Sequence, residues 1–172
     1  MTAYRLPLIA ALVALASPVA ALGEVTEAER EALGSRIDAF VDHLQSGDHG
    51  AMLDMLPPEV WGTIAENAGV EEAEVKEAMV AQVTAAMADV DFEETSYDLD
   101  GARFGTTEAD RDWAVVPVAM TIVSGGESVE IDGELVGLVD DGDWYLMRIE
   151  AEQQAALLGA AYPDMQGVEL TR

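Results

Sequence analysis

Asp42–Leu56, DHLQSGDHGAMLDML, decides how the first half of the chain folds. It holds both histidines of the protein, His43 and His49, each directly after an aspartate. Two readings compete for it. One is a metal site built from Asp42, His43, Asp48 and His49. The other is the end of one helix and the start of the next, and local chemistry favours it. Gly47 stands where helices commonly end in a left-handed residue, and Asp48 supplies a side-chain acceptor suited to a new first turn. A metal needs both imidazoles on one side of the turn. Gly47 breaks the register between them, and no His-x3-His spacing is present. The expectation is therefore no metal ion, with His43 at the edge of an apolar stripe and His49 in an exposed first turn.

Working outward, Thr26 and Glu29 form a capping box that starts a helix running to Gly47. Leu33, Ile37, Phe40, Val41 and Leu44 make its apolar stripe. On the other side, Met52, Leu53, Met55 and Leu56 belong to a short second helix, which Pro57 and Pro58 stop. Pro58 suits the first turn of a third helix carrying Val60, Trp61, Ile64 and Ala65, closed by Gly69. A fourth helix spans about Glu71 to Met87, with Val75, Met79, Val83 and Met87 spaced four apart.

After Met87 the period changes. Phe92–Leu99 (FEETSYDL) alternates imperfectly, with Phe92 and Thr95 or Tyr97 set among acids. Asp100-Gly101 signals a turn before a short strand at Arg103–Thr107. Trp113–Val123 (WAVVPVAMTIV) is apolar on both faces and reads as a buried strand. Its Pro117 marks a bulge or an edge, because proline cannot donate to the ladder. Ser124–Glu127 is a hairpin turn. In the strand that follows, Val129, Ile131, Gly133 and Leu135 face one way, and Ser128, Glu130, Asp132 and Glu134 the other. Asp140–Asp143 is a further turn, Trp144–Ile149 a last strand, and Glu152–Leu158 a short helix before a tail. Helices first and strands second indicate an α+β class, not alternating βαβ units.

Composition bounds the setting. Arg5, the apolar run Leu6–Val19 and small residues at Val19/Ala21 or Ala21/Gly23 match a secretory signal peptide over residues 1–21, cleaved after Ala21 or Gly23. The expectation is a periplasmic or secreted chain with no integral membrane segment once the signal is cleaved, and one α+β domain over residues 24–172. The protein has no cysteine, so its fold rests on the core or on a bound partner. Loss of Arg5 makes a formal charge of −26 one unit more negative, and Lys76 is the sole lysine. Such a surface repels nucleic acid and anionic lipid. It reads first as a solvated surface suited to a salty medium, and second as one that attracts divalent cations or a cationic protein partner.

Several features together resemble the nuclear-transport-factor-two-like superfamily, also called ketosteroid-isomerase-like, with a cystatin-like fold. They are the long first helix leading into Ser46-Gly47-Asp48, a short helix ending at Pro57, late antiparallel strands, and the Gly142-Asp143-Trp144 turn before a strand ending in Arg148. The resemblance covers roughly residues 27 to 150. The fourth helix and the tail after Ile149 depart from it. It implies N-terminal helices packed on a curved antiparallel sheet, cone-shaped around an apolar pocket, with a short C-terminal helix. It implies no reaction, because a fold does not carry a function.

Candidate chemistry is sparse. Ser96–Glu108 aligns Asp98, Asp100 and Gly101 with a calcium loop, but Ser96 and Thr107 stand where acids are required, so a solvated β-turn is the better reading. In the enzymes of the resembling superfamily an Asp with Tyr or His helpers moves protons. Asp132 and Tyr97 are the candidates here, although Asp132 shares its face with Glu130 and Glu134, as on a solvent face. Arg148 is the basic residue of the last strand and is suited to pairing with an acid such as Glu150. Phe40, Met52, Met55, Trp61, Trp113 and Arg148 are the candidate pocket residues, although aromatic and Met side chains also fill ordinary cores. No cofactor motif is present. The expected function is a non-catalytic module that binds a small apolar ligand or serves as an accessory protein. The alternatives are a ketosteroid-isomerase-type lyase or isomerase, and a protein-interaction module acting through the acidic surface. Oligomeric state is open.

Overall fold

Caps set the helix boundaries where local chemistry places them. The computed structural model describes residues 25–149 and 151–170, so the signal-peptide expectation and Glu150 lie outside the described residues. Helix α1 (Glu27–Ser46) starts at Thr26 with both halves of the capping box formed, and Gly47 ends it at φ 72°. Asp48 accepts from the Ala51 N–H and opens α2 (His49–Leu53). Pro58 sits in the first turn of α3 (Pro58–Ala68), which Gly69 closes at φ 69°. Helix α4 spans Glu72–Ala86. No described helix is long and apolar enough to cross a membrane.

Five antiparallel strands follow: β1 (Val90–Tyr97), β2 (Arg103–Thr106), β3 (Asp112–Ser124), β4 (Glu127–Asp140) and β5 (Asp143–Arg148). They form one strongly curved sheet, a half-barrel, in the order β1-β3-β4-β5. The hairpins are as the sequence indicates. Gly125 and Gly126 both have positive φ between β3 and β4, and Asp141 and Gly142 do so between β4 and β5. That is the two-residue geometry whose twist matches paired strands.

The Asp100-Gly101 turn precedes a short paired strand, as the sequence indicates. It does not fold β2 back on β1. Both strands pair with β3, β1 along Val118–Ser124 and β2 along Asp112–Val115, so they run in succession down one edge. Asp98 shapes the break by accepting the N–H groups of Asp100 and Gly101. Pro117 faces this break: its carbonyl accepts from the Asp98 N–H at 3.0 Å. In extended backbone the N and the C=O of one residue point to the same side. The donor that proline lacks is therefore missing where no continuous neighbouring strand needs it.

The sheet is covered on both faces. On one, Leu33 and Ile37 of α1 pack with Met55 against Ala114, Val116, Val118, Met120, Leu135, Trp144 and Leu146. On the other, Val60 of α3 meets Val115, Val136, Leu138 and Met147 together with Leu158, Tyr162, Met165 and Leu170. The last four come from α5 (Glu152–Ala161), a 3-10 turn (Pro163–Met165) and the chain beyond it. The C-terminal tail is thus a wall of the second core. The free edge of β5 is also occupied, since the Leu146 N–H donates to the Met55 carbonyl at 2.8 Å.

Arg111 fastens that tail. Its Nε lies 3.0 Å from Asp164, its Nη1 lies 3.0 Å from Asp140 and 2.7 Å from the Val139 carbonyl, and its guanidinium stacks 4.6 Å from the Tyr162 ring. The Tyr162 hydroxyl donates to Asp140, and the Thr107 hydroxyl to Asp164. Burial alone would raise the Asp164 pKa, but the bonds from Thr107 and Arg111 outweigh it and hold the carboxyl below its ordinary range. A depressed carboxyl pKa contributes stability that is complete above the unfolded value of about 4 and is lost as pH falls through the folded value. We expect Asp164→Asn to cost about 1–2 kcal/mol at neutral pH, the range for a charged hydrogen bond in a partly exposed setting. Thermal unfolding followed against pH should show the gap between wild type and variant closing below about pH 4. A gap unchanged at acid pH would contradict the account.

Candidate functional site

Between α1 and the concave face of the sheet lies a cavity of about 230 Å³. Its roof is the helical stripe Ile37, Phe40, Val41 and Leu44, and its end walls include Met52 of α2 and Met87 after α4. Its floor follows from strand register. Thr95 opposes Met120 and Tyr97 opposes Val118, which puts these four side chains on one face with Leu135 of β4 and its partner Arg148 of β5. Phe92 joins them through a bulge between Phe92 and Glu94. The bulge adds one residue on β1, so residues 92, 95 and 97 face the same way despite their uneven spacing.

Polar groups are few and lie along one row. Arg148 is diagonal to Gly133, where an added Cβ would stand 3.2 Å from its Nη2. The guanidinium therefore lies flat over that glycine, and its Nη1 is 3.5 Å from the Met120 sulfur. Across Met120, the Thr95 hydroxyl oxygen is buried with no hydrogen-bond partner among the described residues. Gln154 stands in the wall, its Oε1 accepting from the Ala151 N–H. The row Thr95–Met120–Gly133–Arg148 is the polar end of an otherwise apolar chamber.

The structure sorts the candidate pocket residues. Phe40, Met52 and Arg148 line the cavity. Met55, 3% exposed, is core beneath α1; Trp61, 2% exposed, packs with Leu53, Ala65 and Val75 between α3 and α4; Trp113 packs against the opposite core. These three do not line this cavity. Met55 and Trp61 fill helix contacts, and Trp113 borders a separate open groove with Arg103, Thr106 and Pro163. Thr95, Phe92, Met87, Val118, Met120 and Leu135 were not singled out from sequence. Imperfect alternation in FEETSYDL was the one signal for the first two.

Asp132 is exposed, on the strand face turned away from the cavity, as its grouping with Glu130 and Glu134 indicates. The Tyr97 ring lines the cavity, but its hydroxyl leaves it, donating to Asp38 at 2.7 Å on α1. Burial and the bond to the Asp38 carboxylate push the Tyr97 pKa up to about 12. It stays protonated at neutral pH with its proton already engaged. Asp132 and Tyr97 therefore do not converge on one point.

The histidines have separate partners. His43 Nδ1 is 4.0 Å from Asp48 Oδ2. His49 is a correction: it is 8% exposed, packed under α4 with Nδ1 3.2 Å from the Thr84 hydroxyl. The exposed first turn expected from sequence is covered by the fourth helix. Among the described residues no group of three or more His, Cys, Asp or Glu is placed to hold a metal ion.

Comparison of the chain with protein-family models, with curated proteins and with solved structures finds no match. Asp38→Asn should move the Tyr97 titration from about 12 part of the way back toward 10.0, since the carboxylate contribution goes and the burial remains. Tyrosine ring signals followed by NMR against pH check this, with Tyr97→Phe giving the assignment. No movement would place the cause in burial alone.

Proposed function

We propose that this chain is an exported, non-catalytic module that binds a small apolar ligand in the chamber between α1 and the sheet. The observation that carries the reading is the unfilled volume itself. Protein interiors rarely keep voids larger than a water molecule. This one, about 230 Å³ and partly open to the surface, presents apolar walls that a bound apolar group would cover. Its walls are nearly all aliphatic, aromatic or thioether groups, with a few polar ones at one end, which is the usual make-up of a ligand site. Met52, Met87 and Met120 add adaptable surface.

An isomerase reading draws less support. Asp132 faces solvent, and no carboxylate lines the chamber among the described residues. The N-terminal signal pattern in the sequence supports the export part of this reading.

A ligand that binds only the folded state stabilises it by about 2.7 kcal/mol at one hundred times its Kd. Thermal unfolding with a panel of small apolar compounds should find one that raises Tm in a dose-dependent way. Leu135→Trp, which puts a ring into the chamber, should abolish that rise while the variant remains folded. Stabilisation that persists in the filled variant would move the site elsewhere, and no stabiliser across the panel would overturn the reading.

A further inference from the structure

We propose that the chamber receives one end of an unbranched hydrocarbon chain longer than itself, and that the rest of the chain lies along an apolar strip of the sheet beyond α1; this rests on the binding reading above. The strip follows from register. Phe92 and Met120 line the chamber. Phe92 opposes Ile122, Met120 opposes Ile131, and Ile122 opposes Val129. These pairs put Ile122, Ile131 and Val129 on the chamber's own face of the sheet, next in line after its floor. Glu130, Asp132 and Glu134 alternate with them along β4 and belong to the opposite face.

Helix α1 is too short to cover this strip. Leu33 lies over Gly137, which opposes Ala114. From Leu33 to Ser46, where the helix ends, it advances at most about 20 Å at ~1.5 Å per residue. From Ala114 to Ile122 the strand advances about 26 Å at ~3.3 Å per residue. The sheet outruns its helix, and Val129 is left 51% exposed, with Ile122 and Ile131 partly so.

Charge and width select the occupant. The other candidate for an exposed apolar face is a second copy of this chain. Each copy carries a formal charge of −26, and like-charged copies repel. A stable protein interface also takes roughly 20–30 residues a side, whereas this strip is a narrow row. An uncharged chain meets no such repulsion, and the row continues an apolar cavity that is partly open to the surface. Volume sets how much of the chain lies inside. An apolar cavity of about 150 Å³ accepts benzene, so by proportion a chamber of about 230 Å³ takes roughly nine or ten heavy atoms.

The test is isothermal titration of the folded protein with 1-octanol, which the chamber alone accommodates, and with 1-decanol and 1-dodecanol, each below its solubility limit. A fully buried methylene is worth about fourfold in Kd, and one covered on a single side about twofold. 1-Dodecanol should therefore bind roughly fifteenfold more tightly than 1-octanol. Val129→Asp combined with Ile122→Asn should remove most of that gain and leave 1-octanol binding as it was. Equal Kd values for 1-octanol and 1-dodecanol would overturn the strip assignment and leave the chamber reading standing. A gain that survives in the double variant would also overturn it. Binding of none of the three would overturn both readings. A wild-type dimer in sedimentation that the double variant makes monomeric would give the strip to a second copy and overturn the proposal. Should the double variant fail to fold, Val129→Asp, at an exposed position, decides the matter alone by lowering the gain.

Discussion

Everything in this fold is referred to strand β3. Of its 13 residues, Trp113–Ser124 pair with β4 on one side, and Val118–Ser124 with β1 and Asp112–Val115 with β2 on the other. It is also covered on both faces, by α1 through Ala114, Val116, Val118 and Met120 and by the C-terminal elements through Val115. A strand in that position must be apolar throughout and must lose few ladder bonds. Pro117 is tolerated because the bond it cannot make falls in the gap between β1 and β2. The same gap lets the two short strands follow the curvature of a long one, and that curvature leaves the chamber under α1.

The second constraint is the scarcity of cations. A formal charge of −26 arises from eight basic residues against 34 acidic ones, so pairing cannot be promiscuous. The arginines that are described sit at junctions. Arg30 joins α1 to the Leu99 carbonyl and to Asp100, Arg103 joins β2 to Glu134 and to the Glu169 carbonyl, and Arg111 joins the β2–β3 turn to β4 and the tail. Exposed members of such pairs add little to stability. Arg111 is different because it is largely buried and its donors meet carboxylates, a carbonyl and a ring at once. It fixes the C-terminal segment, which carries Tyr162, Met165 and Leu170 into the outer core. Arg148 differs in position, since it lines the chamber and reaches the Met120 sulfur.

The helices were legible because their signals are local. A cap needs only residues within a turn of the helix end, and Thr26, Gly47, Asp48, Pro58 and Gly69 act as their chemistry requires. The hairpins were legible for the same reason. The Asp100-Gly101 turn was legible as a turn, but the partner of β2 was not, because a turn signal marks a change of direction and leaves the pairing open. His49 was misjudged because α4, which covers it, is 35 residues away at the contact with Thr84. The site was half legible. A helical stripe shows that Phe40 and Met52 point inward, and an arginine in an apolar strand marks Arg148. Apolar character alone does not tell which open or filled space a side chain borders, and so Met55, Trp61 and Trp113 are grouped in sequence with residues that line the chamber.

What the sequence determined by itself was the α+β class, the helix ends, the two tight hairpins, the absence of any disulfide and the acidity, all set by composition or by residues a few positions apart. What the tertiary structure alone decided was the path of β2, the covering of the outer face by the tail, and the chamber with Arg148 laid over Gly133 toward Met120 and Thr95. These depend on strand register and sheet curvature. Both arise from pairings between distant residues, and a shift of one position would turn each of those side chains to the other face.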